Sequence, residues 1–156
     1  MSMLEKLMGL LLIGMQGAFC HAQRQVVLPL DSLVVTSGFG PRIHPVLRKG
    51  DFHRGVDLRA KQSAVKTVMA GRVSSCGYNP ILGNFVCISH GKLESIYGHL
   101  SFAMVSPGEW LEAGKVIGVS GNSGRTTAAH LHFALRYQGI FLDPIQFLFA
   151  IRNSER

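Results

Sequence analysis

Residues 130–137 read His-Leu-His-Phe-Ala-Leu-Arg-Tyr. Along an extended strand, side chains two apart share a face. The imidazoles of His130 and His132 therefore point one way, while Leu131 and Phe133 point the other way into a core. Working outward, similar short runs recur: LVVTSGFG (33–40), GVDLRA (55–60), AVKTVMAGRVSSC (64–76), NFVCISH (84–90), LESIYGHL (93–100) and KVIGVSG (115–121). Glycine-containing turns separate them, at Gly77, Gly83, Gly91, Gly114 and Gly139 among others. Short strands at near-regular spacing predict an all-β fold, a mainly antiparallel sandwich or barrel with little helix. The one helix expected is short, Pro144–Leu148, with Asp143 as its N-cap and proline in the first helical position.

The chain has 156 residues, which suits a single domain with a core of its own. A hydrophobic fraction of 47% excludes a disordered chain. The net charge of +7 favours an anionic partner: nucleic acid, acidic lipid or an anionic wall polymer. Nucleic acid is disfavoured, because no basic stripe interleaved with aromatics is present and the single Trp110 sits between Glu109 and Glu112.

Residues Leu7–Phe19 carry no charge and follow a short start containing Lys6. Such a run is too short for the ~20 residues of a membrane-spanning helix. It fits the apolar core of a secretory signal peptide, with cleavage after Ala22. The expected organisation is a signal peptide (1–22), a lead-in (23–35), a catalytic-type domain (36–150) and a tail (151–156). No stable membrane insertion is expected once the signal is removed. Export leaves Cys76 and Cys87 in an oxidising compartment, and a disulfide across the hairpin that carries them is expected.

Histidines carry the chemistry. In His53-Arg54-Gly55-Val56-Asp57, an imidazole and a carboxylate straddle a glycine that lets the backbone bend so both converge. Both donors suit Zn²⁺. With one histidine of the 130/132 pair they make three protein ligands, the usual number at a catalytic zinc, with the fourth position left for water. The other histidine of the pair is then a neighbouring base. His99, in Tyr97-Gly98-His99-Leu100, can complete the site by steadying a developing oxyanion. Spacing alone does not say which of His130 and His132 binds metal, nor does it separate His99 from His44 or His90 as a catalytic partner.

Seven segments occur in order: TSGFGPRIHP (36–45), HRGVD (53–57), AGRV (70–73), GNFVCISHG (83–91), YGHLS (97–101), AGKVIGVSGNSGRT (113–126) and HLHF (130–133). Together they resemble the LytM/lysostaphin family of zinc peptidases, the M23 group, which cut peptidoglycan. The resemblance implies that His53, Asp57 and His132 hold the zinc, one ion per chain. It implies that His130 and His99 are the catalytic histidines, while His44 and His90 are structural or groove-lining. It also implies a mostly antiparallel β fold with the site in a groove, and endopeptidase action on peptide stems or cross-bridges in the periplasm or cell wall. The alternative is an inactive wall-binding protein or an activator of another hydrolase. Arg42, Arg125 and Arg136 are expected to meet the carboxylates of the wall, Arg42 foremost as a substrate-binding residue. Ala128-Ala129 stands where relatives usually carry Gly-Pro.

Overall fold

A computed structural model describes residues 25–43 and 49–154 of the chain. The strands are β1 (Val35–Ser37), β2 (Gly40–Ile43), β3 (Gly50–His53), β4 (Val56–Arg59), β5 (Ala64–Lys66), β6 (Gly71–Asn79) and β7 (Gly83–His90). They continue with β8 (Leu93–Ala103), β9 (Trp110–Leu111), β10 (Val116–Ser120), β11 (His130–Tyr137) and β12 (Ile140–Leu142), before helix α1 (Pro144–Ser154). A 10-stranded sheet runs β1-β4-β11-β8-β7-β6-β9, with β10 bridging β5 and β8 and with β12 beside β11. Every pairing in it is antiparallel. Strands β2 and β3 form a separate hairpin. The all-β expectation holds, and the expected signal peptide lies outside the described residues.

Strand β11 sits between β4 and β8, so both of its edges are paired and its period-two pattern is enforced. Leu131, Phe133 and Leu135 are fully buried. They join Val56 and Leu58 of β4, Val86 and Ile88 of β7, and Tyr97 of β8 in one core. The Tyr97 ring packs on Phe133 at 5.4 Å, and its hydroxyl accepts a 2.9 Å hydrogen bond from the Val68 N–H. Burial pushes the Tyr97 phenol up to about 12. One face of the sheet is thus locked beneath the opposite, histidine-bearing face.

Three sequence expectations change here. The lead-in is part of the domain: Leu30 is buried, and Val27 and Pro29 hydrogen-bond to Val68 and Lys66. Helix α1 does not stop at Leu148 but runs to Ser154, because no proline or glycine follows Pro144 to end it. Its start is as expected, with Asp143 Oδ1 accepting from the N–H groups of Ile145 (2.9 Å) and Gln146 (3.3 Å). The Cys76–Cys87 bridge is not formed, and both thiols are free. An irregularity between Val73 and Ser75 sets Cys87 opposite Ser75 and Cys76 opposite Val86. Adjacent positions on a strand face opposite ways, so the two sulfurs lie on opposite faces of the hairpin ladder.

Candidate metal centre

Strand pairing builds the site. His132 of β11 lies directly opposite Asp57 of β4, so their side chains emerge on the same face. His53 closes β3, and the two residues Arg54 and Gly55 return the chain into β4 beside Asp57. Gly55 has no left-handed φ, so backbone bending is not what requires glycine there. The requirement is space: a Cβ at Gly55 would lie 2.6 Å from the Phe133 carbonyl oxygen and 2.8 Å from His132 Cε1.

Three donor atoms converge. His53 Nε2 is 3.2 Å from His132 Nδ1 and 3.2 Å from Asp57 Oδ1, and His132 Nδ1 is 3.0 Å from Asp57 Oδ1. Tetrahedral ligands at ~2.0–2.1 Å from zinc stand roughly 3.3 Å apart, so this triangle is of the right size for that ion. Two imidazole nitrogens and one carboxylate oxygen are also the donor chemistry zinc takes. His53 Nδ1 donates to the Gly38 carbonyl at 2.7 Å, which leaves Nε2 with its lone pair turned toward the other two ligands. Among the described residues, His53, Asp57 and His132 are the group that closes in this way.

Two further imidazoles border the triangle. His130 Nδ1 donates to the Ala128 carbonyl at 2.8 Å, so its Nε2, 3.4 Å from Asp57 Oδ1, is the free basic nitrogen. His99 of β8 donates from Nδ1 to the Ser123 carbonyl at 2.8 Å, and its ring meets that of His130 edge-on at 4.7 Å. His99 has φ of 60°, a left-handed conformation that is strained for a non-glycine residue. Its own N–H donates to the Leu82 carbonyl at 2.6 Å, so main-chain contacts at both ends fix the ring.

Electrostatics divides these groups. Burial pushes the Asp57 carboxyl upward, but the close polar contacts of the His130, His132 and His53 imidazoles outweigh it and hold it well below the usual carboxylate range. Burial pushes His99 down to about 4, helped by the neighbouring His130 and His132 and only partly opposed by the Ser123 carbonyl. At His130 burial acts in the same direction, yet the Asp57 carboxylate and the Ala128 carbonyl outweigh it and raise the pKa. His132 is lowered by burial. His99 is therefore neutral at pH 7, and of the two bordering imidazoles His130 has the stronger proton affinity.

The site lies in a groove of ≈ 680 Å³. Arg42 and Arg125 line it, whereas Arg136 does not; its guanidinium pairs with Glu94 and lies over Phe141, 5.9 Å from the ring centroid. His90 is internal: its Nδ1 donates to Ala70 O and its Nε2 pairs with Ser95 Oγ, both at 2.8 Å. His44 lies outside the described residues. Sequence reasoning missed the carbonyls of Gly38, Leu82, Ser123 and Ala128, which orient three of the imidazoles. A carbonyl is common to every residue type, so no residue-type signal could have revealed them.

Comparison with known proteins identifies the family. Residues 51–144 match the family model described as Peptidase family M23. The chain is similar to the DD-carboxypeptidase/endopeptidase Mpg of Neisseria meningitidis serogroup B, 35% identical over 119 residues, 75% of this chain and 27% of that protein. It is similar to the peptidoglycan DD-endopeptidase ShyC of Vibrio cholerae, 37% identical over 119 residues, 74% of this chain and 28% of the relative. A crystal structure of a zinc-containing peptidase from Vibrio cholerae superposes with a TM-score of 0.70 at 32% identity, over 74% of this chain and 37% of that one. The chain spans little more than a quarter of the length of these two curated relatives. The family match covers more than half of the sequence and contains His53, Asp57, His99, His130 and His132, so the chain belongs to peptidase family M23.

Proposed function

We propose that this protein is an exported zinc-dependent endopeptidase that hydrolyses amide bonds in the stem peptides or cross-bridges of peptidoglycan. The observation that carries the reading is the 3.0–3.2 Å triangle of His53 Nε2, Asp57 Oδ1 and His132 Nδ1 with a free imidazole nitrogen beside it. Zinc, when bound there, supplies a Lewis acid and lowers the pKa of water to roughly 7. His130 Nε2 accepts the proton released as water attacks the scissile carbonyl, then returns it to the leaving amine. Its Nδ1 contact with Ala128 O holds the tautomer that does this and steadies the imidazolium once it forms. His99, neutral with its Nδ1–H committed to Ser123 O, turns Nε2 toward the site. By direct contact or through a second water, that nitrogen accepts a hydrogen bond from the attacking water and orients it. The two histidines share the groove with Arg42 and Arg125, whose charge favours an anionic polymer.

Location follows the same reading. Residues 1–22 act as a cleaved signal peptide and deliver the domain to the periplasm or cell wall. No helix among the described residues is long and apolar enough to cross a membrane.

The test is His130→Ala on purified cell wall, with muropeptides read by mass spectrometry. Turnover is expected to fall by ~10²–10⁴-fold, the range for loss of a general base, with zinc still bound stoichiometrically. Loss of the metal in that variant overturns the ligand assignment. Zinc-loaded wild-type protein that leaves muropeptides uncut overturns the enzymatic reading.

A further inference from the structure

One groove residue is held close to the centre without being satisfied by it. Arg42 of β2 points from the small β2–β3 hairpin over the outer oxygen of Asp57, with Nη1 3.6 Å from Oδ2. That separation is beyond hydrogen-bond length. Among the described residues, the one hydrogen bond its guanidinium makes is from Nη1 to Ser37 Oγ, at 2.8 Å. The Nε–H is buried without a partner, and Asp51 Oδ2, 4.0 Å away, does not complete it. A guanidinium offers five N–H donors. A quarter of this side chain, 26%, is exposed, and it lines the same groove as His99 and His130. Positive charge is also in excess: Arg42, Arg54 and Arg125 line the groove against Asp51 and Asp57.

We propose that Arg42 is a specificity residue that reads a carboxylate borne on the amine-side residue of the scissile amide. The proposal rests on the peptidoglycan reading above and narrows its substrate. The acyl-side residue has its own carboxyl consumed as the scissile carbonyl, so a backbone-type carboxylate next to the bond can only belong to the amine side. Such a carboxylate carbon lies roughly 2.5 Å from the scissile nitrogen by standard bond lengths. Substrate bound with its carbonyl at the triangle thus presents that group within reach of a guanidinium whose Nη1 lies 3.6 Å from Asp57 Oδ2. Two bonds carry this feature: an amide to a C-terminal amino acid, and a cross-link to the amine of a diamino dicarboxylic acid. Glycine bridges and cross-links to lysine lack it. A residue serving only to orient Asp57 would close on Oδ2 at hydrogen-bond length, and Arg42 does not.

The experiment uses zinc-loaded full chain and two synthetic substrates. One is a stem-peptide dimer cross-linked through a diamino dicarboxylic acid; the other is a pentapeptide ending in D-alanyl-D-alanine. Each is made with the carboxylate beside the scissile nitrogen free or amidated. Wild-type kcat/KM is expected to favour the free acid by ~10–100-fold, the worth of hydrogen bonds to a charged group. In Arg42→Gln that ratio collapses toward one, chiefly through KM, and Arg42→Lys restores part of it. The two substrates separate the cross-link from the C-terminal source. Zinc affinity of Arg42→Gln, measured by chelator competition, is expected to stay within about threefold of wild type. A wild-type ratio near one overturns the proposal. So does an equal loss on free and amidated substrates with weakened zinc binding, which assigns Arg42 to Asp57 alone. If wild type cuts neither substrate, the peptidoglycan reading fails; calorimetric binding of the same peptides to metal-free protein then decides Arg42, with equal affinity for acid and amide as the overturning result.

Discussion

Adding a single methyl at Gly55 should weaken metal binding without removing any ligand. In Gly55→Ala the new Cβ would lie 2.6 Å from the Phe133 carbonyl oxygen, 2.8 Å from His132 Cε1 and 2.9 Å from His132 Nε2. Real Cβ contacts essentially never fall below 3.0 Å, so all three gaps must open. The Phe133 carbonyl cannot give easily, because β11 is paired with β4 and β8 on its two sides. The strain therefore passes to the His132 ring and the β3–β4 connection that carries His53 and Asp57. The required displacements of about 0.1–0.4 Å straddle the roughly ±0.2 Å that metal–ligand distances tolerate, and the largest exceeds it. Zinc affinity is expected to fall ~10–100-fold, as for changes to groups that support ligands. Overpacking should cost ~1–3 kcal/mol of stability. Competition with a chromophoric chelator measures the first, and urea unfolding of the metal-free protein measures the second. A Gly55→Ala protein with wild-type zinc affinity and an unchanged urea midpoint refutes the close-approach argument. Gly55→Ser should behave at least as badly, since it carries the same Cβ.

Three other expectations follow from the same contacts. Burial lowers the His90 pKa from 6.5, so the unfolded chain binds that proton more readily than the folded one; stability should be complete above about pH 6.5 and fall as pH drops through the folded value. Urea unfolding from pH 7.5 to 5 checks this, with a slope of up to ~1.4 kcal/mol per pH unit from this one group, and His90→Asn should flatten that component. Phe133→Ala should cost ~3–5 kcal/mol, because the ring is fully buried against Tyr97; an unfolding midpoint close to wild type would contradict the core assignment. Removal of zinc with a chelator should lower the melting temperature as well as stop hydrolysis, since ions that bind only the folded chain stabilise it by mass action; re-addition of one equivalent should restore both.

Local pattern carried much of the structure into view, and long-range register carried the remainder. The alternation in HLHFALRY puts His130 and His132 on one face and Leu131 and Phe133 on the other, as the buried and part-buried positions of β11 bear out. The strand-rich runs and the Asp143 cap are equally local signals. What no local pattern states is that Asp57 faces His132 across the β4–β11 ladder. That pairing is a property of two segments far apart in the chain, and the resemblance to a known family stood in for it. The cysteines show the opposite failure. Cys76 and Cys87 sit on one hairpin, where proximity is guaranteed, yet an irregularity between Val73 and Ser75 reverses the face on which one of them emerges. Helix α1 outruns its expected end at Leu148 because nothing in 149–154 breaks a helix.

The carbonyls explain why some departures from the family pattern leave the centre intact. His53, His99 and His130 are each oriented through Nδ1 by a main-chain oxygen, at Gly38, Ser123 and Ala128. Such a contact depends on where the backbone runs and not on which side chain it bears. Ala128-Ala129 in place of Gly-Pro therefore keeps the acceptor that fixes the His130 tautomer, and Thr126 Oγ1, 3.1 Å from the same nitrogen, reinforces it. The demand on sequence moves to positions that set the backbone path. Gly83 and Gly124 are two of these: each has a positive φ, and a Cβ on either would strike the other's segment, at 2.3 Å from Ser123 and at 2.2 Å from the Gly83 nitrogen. That contact fastens the tip of the β6–β7 hairpin, including Leu82, to the loop carrying Ser123, the two segments that hold His99 in its strained conformation. The reactive geometry is thus specified by glycines and strand register as much as by the histidines themselves.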